Sequence, residues 1–280
     1  MEIHHQHHHD PPQHKEKPWK HYAIEFLMLF LAVTLGFYSE TLRESIVERS
    51  REKEYMESLV QDIQADTTNL RNEILLGKKV SARLQHLNAF LNADSATVDQ
   101  EKLYQLQLGV GRVVKFRAED RTAAQLKNAG NMRLIRNKAV SDSILNYWMI
   151  LSVLDEISGR LDYLRGNASE TADQLFDNRY VRFSDPLHPL NSEVTVLPNA
   201  KLISEDKALL ALYSNRRTGV WIVLNNYISS MEDAQEAAIH LIDLIRKEYH
   251  LEEKWISSNF TINCRIQKNG GNIMQISFCS

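Results

Sequence analysis

Apolar residues are spread unevenly along the chain, and one stretch near its start, YAIEFLMLFLAVTLGFYSE, is far more apolar than the rest. Its most apolar part, residues 26–38, is shorter than the roughly 20 residues that a membrane-spanning helix needs. Extension back to Trp19 gives a span of sufficient length, residues 19–38. Aromatic rings then lie at both ends, with Trp19 and Tyr22 at one end and Tyr38 at the other, as in membrane interfaces. The pattern predicts a transmembrane helix that anchors the chain.

Glu25 lies inside this predicted span, where a carboxylate is costly. Either it meets a partner and fixes assembly in the bilayer, or it is an interfacial residue of a tilted span. Two other interpretations of the apolar stretch are a cleavable signal and a buried core helix. The signal fits poorly, since no A-x-A pattern follows and the preceding tail is long.

Beyond Tyr38, apolar residues fall on a ladder of alternating three- and four-residue steps, with Arg49, Lys53 and Thr67 at the missing positions, which predicts that the helix continues as a stalk. They are Leu42, Ile46, Met56, Val60, Ile63, Leu70 and Ile74. The polar stretch VERSREKEY interrupts this seam, as expected where a stalk leaves the membrane before finding a packing partner. Gly77 is predicted to end or kink the helix, and VSARLQHLNAFLNA to form a second, short one.

Three later segments are also predicted to be helical. Residues 122–129 form a helix capped by Gly130, residues 137–164 keep a period of 3.6, and Ser204 is the N-cap of a third helix. The last has the most regular seam: Val220, Leu224, Tyr227, Met231, Ala234, Ala238, Leu241 and Ile245. Residues 179–200 read as a long connection because they contain three prolines. The fold class is therefore all-α, with a helical stalk and bundle with coiled-coil-like packing over residues 39–252.

The C-terminal extension, residues 253–280, shows a different pattern. Apolar residues alternate on both sides of KNGG, which predicts a short β-hairpin, with a frayed tail as the alternative. They are Phe260, Ile262, Ile266, Met274, Ile276 and Phe278. The implied pairing does not place Cys264 opposite Cys279, so no disulfide is inferred.

Four stretches carry a resemblance: HYAIEFLMLFLAVTLGFYSETLRE, EKEYMESLVQDIQADT, QLKNAGNMRLIRNKAVSDSILNYW and LIDLIRKEYHLE. In these stretches the chain resembles a family of uncharacterised bacterial single-pass membrane proteins, over residues 18–252. The resemblance implies an N-terminal anchor (EFLMLFLAVTLGF) and a helical domain (QLKNAGNMRLIRNK). It transfers no catalytic residue, since none is assigned in the family.

Composition limits the possible functions. The 280 residues carry a net charge of −3, which argues against a nucleic-acid-binding protein. Two cysteines exclude a disulfide scaffold and a CxxC zinc site. The chain contains none of the common phosphate-binding, dinucleotide-binding, zinc-protease or serine-hydrolase motifs. No catalytic residue, cofactor or small-molecule ligand is therefore predicted.

Two polar clusters remain as candidate sites. Residues 1–18 are predicted to be a disordered tail, and their imidazoles could hold zinc, nickel or copper loosely or form only a polar spacer. These candidate ligands are His4, His5, His7, His8 and His9. The second cluster could hold an acidic partner or a lipid headgroup, or be a solvated turn. It comprises Lys127, Arg133, Arg136 and Lys138.

Together these features predict a membrane-anchored, non-catalytic scaffold or accessory subunit that acts through contacts with a partner protein or with further copies of itself. The alternative is a sensory or ligand-binding bundle tethered to the membrane. Lys15, Lys17 and Lys20 lie at the N-terminal edge of the span, and Arg43, Arg49, Arg51 and Lys53 follow it, so the charge count alone does not decide the orientation. Close to the span, however, the three lysines face only Arg43. By the positive-inside rule this favours a periplasmic helical domain, and with the resemblance to bacterial membrane proteins the expected location is the bacterial inner membrane.

Overall fold

A computed structural model describes residues 19–93, 99–128, 130–185, 187 and 193–251. Within them lie five α-helices: α1 (Trp19–Leu91), α2 (Gln100–Gly109), α3 (Arg121–Asn128), α4 (Lys138–Leu175) and α5 (Lys207–Tyr249). Short 3-10 helices follow α3 at Asn131–Leu134 and α4 at Asn178–Tyr180. Helices make up 81% of this part of the chain, which confirms the all-α class.

The first helix is much longer than its sequence suggests. It comprises 73 residues and is about 110 Å long at 1.5 Å per residue. The prediction that Gly77 ends or kinks it is wrong, and VSARLQHLNAFLNA is the last part of α1 and not a separate helix. Gly77 is buried against α5, where an added Cβ would lie only 2.9 Å from Cγ1 of Ile228. This glycine therefore allows two helices to approach closely.

Three long helices form the bundle, and α5 packs against both α1 and α4. Every residue of the predicted α5 seam is buried, so that prediction is confirmed. The α1 seam is buried only from Met56 onward, whereas Leu42 and Ile46 are exposed. Residues 39–51, called the stalk below, thus connect the apolar segment to the bundle. The bundle itself begins at Glu52, which accepts the N–H of Arg136 in the connection before α4.

The buried apolar residues form two clusters along the bundle axis. The cluster nearer the stalk joins Met56 and Ile63 of α1 to Ile144 of α4 and Leu241 of α5. The farther cluster begins on α1 at Leu70. The α1 positions between the two clusters include a buried carboxylate, Asp66, which is 1% exposed.

Helix boundaries agree with the sequence in two cases and differ in a third. Asn137 caps α4, and Gly130 takes a left-handed conformation (φ 64°) after α3. The predicted N-cap of α5 is wrong by two residues. The Asp206 carboxylate accepts the N–H of Ala208, while the Ser204 hydroxyl accepts the N–H of Asp206. An acidic side chain at the cap also favours the helix dipole.

The predicted connection at residues 179–200 contains a small sheet. Strand β1 (Val181–Phe183) pairs antiparallel with β2 (Val194–Val196), with Val181 opposite Val196. The prolines obscured a period-two pattern that is only three residues long on each strand. The His-rich tail with its candidate ligands and the predicted C-terminal hairpin lie outside the described residues.

Leu241→Asp should unfold the bundle, because it places an unpaired carboxylate in the stalk-side cluster and removes an apolar side chain that is 1% exposed. We expect a loss of several kcal/mol in the free energy of unfolding. Thermal unfolding of the full chain in detergent measures it. The control is Glu236→Ala at an exposed position, which should change stability by no more than about half a kcal/mol. Equal stability of the two variants would contradict the assigned core.

Candidate functional site

The apolar segment of α1 stands free of the bundle. It contains an 18-residue window long and apolar enough to cross a membrane, and none of that window is buried. Among the described residues, α1 is the one helix with such a window. Trp19, Tyr22 and Tyr38 are 75%, 58% and 62% exposed, so the aromatic rings at both ends point away from the protein. By length and composition, the segment is compatible with a single-pass anchor.

Glu25 has a partner on its own helix. His21 Nε2 lies 2.9 Å from Glu25 Oε1, one turn apart, and forms an ion pair when the imidazole is protonated. The sequence analysis treated Glu25 alone. The spacing of four residues between an imidazole and a carboxylate was the signal that could have identified the pair.

The most extensive polar structure in the described chain is a line of four α1 carboxylates, here called the carboxylate row. Each accepts a backbone N–H from residues 110–137, the crossing segment, which runs from α2 to α4. The bonds are Arg136 N to Glu52 (2.7 Å), Thr122 N to Asp62 (3.0 Å), Glu119 N to Asp66 (2.8 Å) and Lys115 N to Glu73 (3.1 Å). The residue numbers of the acceptors on α1 increase as those of the donors decrease, so the crossing segment runs antiparallel to α1.

The row has a simple physical cause. Much of the crossing segment is neither helix nor strand, so many of its backbone N–H groups have no partner within a regular element. A buried N–H without an acceptor costs free energy comparable to a lost hydrogen bond. The four carboxylates are ten, four and seven residues apart, which places them on one face of α1. That face therefore supplies acceptors to a segment that lacks its own.

Asp62 acts as a helix cap from a different helix. Its carboxylate is 3% exposed and accepts both the N–H and the hydroxyl of Thr122, the latter at 2.7 Å. Thr122 lies in the first turn of α3, where N–H groups have no intrahelical acceptor. Arg121 adds a 2.8 Å contact to the other oxygen of Asp62. This contact between α1 and α3 also places negative charge at the positive end of the α3 dipole.

Asp66 joins α1 to both the crossing segment and α4. One oxygen accepts the N–H of Glu119, and the other accepts the Tyr147 hydroxyl at 2.8 Å. Burial raises the pKa of the Asp66 carboxyl to about 6, although these two hydrogen bonds partly oppose the shift. The carboxylates of Glu119 and Asp62 raise it further. The charge of Asp66 thus changes between pH 5 and pH 7.

A small cavity of about 230 Å³ opens beside Asp66 and Tyr147. Lys127 closes one side, with its ammonium 4.2 Å from the centre of the Trp148 ring. The other basic residues of the predicted cluster do not converge on the cavity. Arg136 lies 3.1 Å from Glu48, and Lys138 lies 3.2 Å from Asp142. The proposed basic cluster is therefore spread over several contacts within the chain.

A larger opening of about 880 Å³ lies between the stalk-side part of α1 and the end of α5. We call it the α1–α5 groove. Its walls are Lys53, Glu57, Val60, Gln61, Gln64, Ala65, Thr67 and Thr68 of α1, with Arg246, His250 and Leu251 at the other side. It is separated from the Asp66 cavity, since the two share no lining residue.

A buried cation lies in the farther part of the bundle. Arg217 is 6% exposed and donates to the Tyr213 hydroxyl at 3.0 Å and to the Gln107 side-chain oxygen at 3.1 Å. The charge is also 5.1 Å from the Tyr213 ring, which favours a cation. No motif in the sequence marked this group, because its partners come from α2 and from one turn away on α5.

Among the described residues, no group of three histidine, cysteine, aspartate or glutamate side chains is arranged to hold a metal. Comparison with protein-family models, curated proteins and solved structures gave no match to the chain. The resemblance to bacterial single-pass membrane proteins therefore stays a prediction from the sequence, and function must be inferred from the geometry above.

Asp66→Asn should stabilise the bundle above pH 6 and lose that advantage in acid. The folded pKa, about 6, exceeds the ordinary 3.8, so folding binds a proton between these values and stability falls as pH rises through them. The charged form costs about 3 kcal/mol at most by this shift. Asparagine keeps the acceptor for Glu119 without the charge. The measurement is the difference in unfolding free energy between variant and native chain at pH 4 and pH 7.5.

The control for this experiment is Asp173→Asn, at an exposed position on α4. It should show no such dependence on pH. A native chain more stable than Asp66→Asn by the same amount at both pH values would contradict the penalty assigned to the buried charge.

Proposed function

We propose that the chain is a single-pass membrane protein whose bundle acts as a scaffold or accessory subunit through protein–protein contacts. One observation carries this proposal: a single helix, α1, supplies both the exposed apolar segment and one wall of the bundle. A bundle built on the anchor itself is held at a defined position relative to the membrane. Such a position suits a protein that presents a surface to neighbours.

The apolar segment supports the membrane part of the proposal. Residues 19–38 span about 30 Å as a helix, the thickness of a bilayer core. Their large apolar side chains are exposed, and about 25 cal/mol is lost per Å² of apolar surface left in water. A bilayer removes that cost. The His21–Glu25 pair lies near one end, where its charges can reach the interface.

The proposed location is the bacterial inner membrane with the bundle in the periplasm. The bacterial assignment rests on the resemblance of the four sequence stretches. The orientation rests on three lysines at the N-terminal edge of the span, compared with Arg43 near its other end. Arg43 itself pairs with Glu40 at 2.5 Å, which reduces the local positive charge on that side.

The full chain should stay in the membrane pellet after an alkaline wash, and deletion of residues 1–40 should release it, because only residues 19–38 would hold it in lipid. In spheroplasts, protease added outside should cut the bundle without lysis. The truncated chain, retained in the cytoplasm, is the control for leakage. A soluble full chain would refute the anchor, and protection of its bundle would reverse the orientation.

The bundle also carries an exposed apolar row suited to a partner. Leu145, Met149 and Val153 follow one another at four-residue spacing on α4 and are 50%, 61% and 47% exposed. We call them the α4 stripe. Residues at this spacing share one helix face, and contiguous exposed apolar surface marks interaction sites. The partner, another protein or a second copy, is expected to present an apolar surface with few charges at its centre.

A photo-crosslinking residue at position 149 should give one discrete adduct in intact membranes. The same residue at Asp155, exposed on α4 but rotated away from the stripe, is the control. Met149→Asp, combined with a cross-linker at position 145, should abolish the adduct by placing charge in an apolar contact. Its thermal unfolding should match the native chain, since Met149 is exposed. No adduct, or the same adducts at 149 and 155, would contradict a partner at the α4 stripe.

A sensory or ligand-binding bundle is the second candidate, favoured by the Asp66 cavity, where a carboxyl, a hydroxyl and an ammonium converge. Ligand pockets in proteins usually have about 300–1,000 Å³. The cavity has about 230 Å³, and the polar groups of Asp66 and Tyr147 already bind each other. The scaffold therefore accounts better for the geometry.

A further inference from the structure

The α1–α5 groove combines features that point to an occupant. Its volume, about 880 Å³, exceeds the 230 Å³ of the Asp66 cavity. Its lining includes Val60, which is buried, and the charged residues Lys53, Glu57 and Arg246. Ile239, 49% exposed, shares the helix face of Arg246 and His250 by steps of seven and four residues. Apolar surface therefore continues along α5 beyond the groove.

The position of the chain's own C-terminal residues decides which occupant fits. Leu251 is the last described residue and is itself part of the groove wall. The C-terminal tail, residues 252–280, thus follows in sequence directly after a residue of the groove wall. The α1 wall from Lys53 to Thr68 is about 23 Å long at 1.5 Å per residue. An extended chain covers that distance with about seven residues, so the tail is long enough several times over.

The composition of the tail complements the groove. Its apolar residues alternate with polar ones around KNGG, so one face can meet Val60 and Ala65 while the other stays in water. The tethered tail also has a high effective concentration at the groove, which a separate protein lacks.

We propose that the C-terminal tail folds back and occupies the α1–α5 groove. Docking there covers apolar surface on α1 and α5 that is otherwise exposed at the stalk end of the bundle. The tail then blocks this surface against other proteins, which must displace it to bind. This inference is independent of the α4 stripe, which lies on a different helix.

The test measures how well the tail shields one groove residue in the full chain. Cys264 and Cys279 are replaced by serine, and a single cysteine is introduced by Ala65→Cys in the groove or by Ser169→Cys on α4. Both native residues are small and exposed, and only position 65 lines the groove. A bulky maleimide then labels each variant in detergent, with and without residues 252–280. Deletion of the tail should speed labelling at position 65 about tenfold, because the thiol otherwise waits for local opening.

Labelling at position 169 should change less than about twofold, as for a site without an opening step. No acceleration at position 65 overturns the proposal, as does protection that weakens on dilution, since a second copy would then be the occupant. Equal acceleration at both positions would mean that deletion loosens the bundle. In that case, cross-linking in the full-length chain that retains Cys264 tests whether the tail occupies the groove. An intrachain bismaleimide link from Cys264 to a cysteine at position 65, but not at 169, supports the proposal, and its failure overturns it.

Discussion

The structure depends on one requirement, that the backbone N–H groups of the crossing segment find acceptors. This segment leaves α2, passes α1 and reaches α4 with only one short α-helix of its own. A segment so poor in regular structure usually lies at the surface, where water satisfies its polar groups. Here the carboxylate row of α1 replaces water along the bundle. The Tyr227 hydroxyl of α5 adds another acceptor, for the N–H of Phe116 at 3.0 Å.

This arrangement trades stability for fixed geometry. A carboxylate in a protein interior is disfavoured, and Asp66 shows the cost in its raised pKa. Charge-assisted hydrogen bonds offset part of it, and each is stronger than a bond between neutral groups. The bonds also fix the register between α1 and the crossing segment, because each carboxylate accepts the backbone N–H of one particular residue of that segment. The Tyr249 hydroxyl extends the same network by donating to Glu52 at 2.7 Å, which ties in the end of α5.

The sequence predicted the helices and buried faces that depend on the spacing of apolar residues. It did not predict the contacts between polar residues that are far apart in the chain. The α5 seam was recognised because each of its residues faces the core at helical spacing. The carboxylate row was not recognised, since an acidic residue on a helix gives no sign of a distant N–H donor. Gly77 was predicted to end or kink the helix. Its actual role, close packing against Ile228, could not be seen because Ile228 is far away in the sequence. The anchor-like segment, in contrast, needs only length and composition, so it could be predicted from local sequence alone.

The unbroken course of α1 gives the stalk a mechanical role. Helical residues rotate by about 100° and rise by 1.5 Å each, so the number of residues in the stalk sets both the azimuth and the height of the bundle. One added residue there would turn every bundle surface by more than a quarter of a circle relative to the apolar segment. A twist applied to one end of α1 would likewise reach the other, because no hinge interrupts the helix between Trp19 and Leu91. The number of residues in the stalk therefore sets the rotation of the bundle about the helix axis relative to the apolar segment.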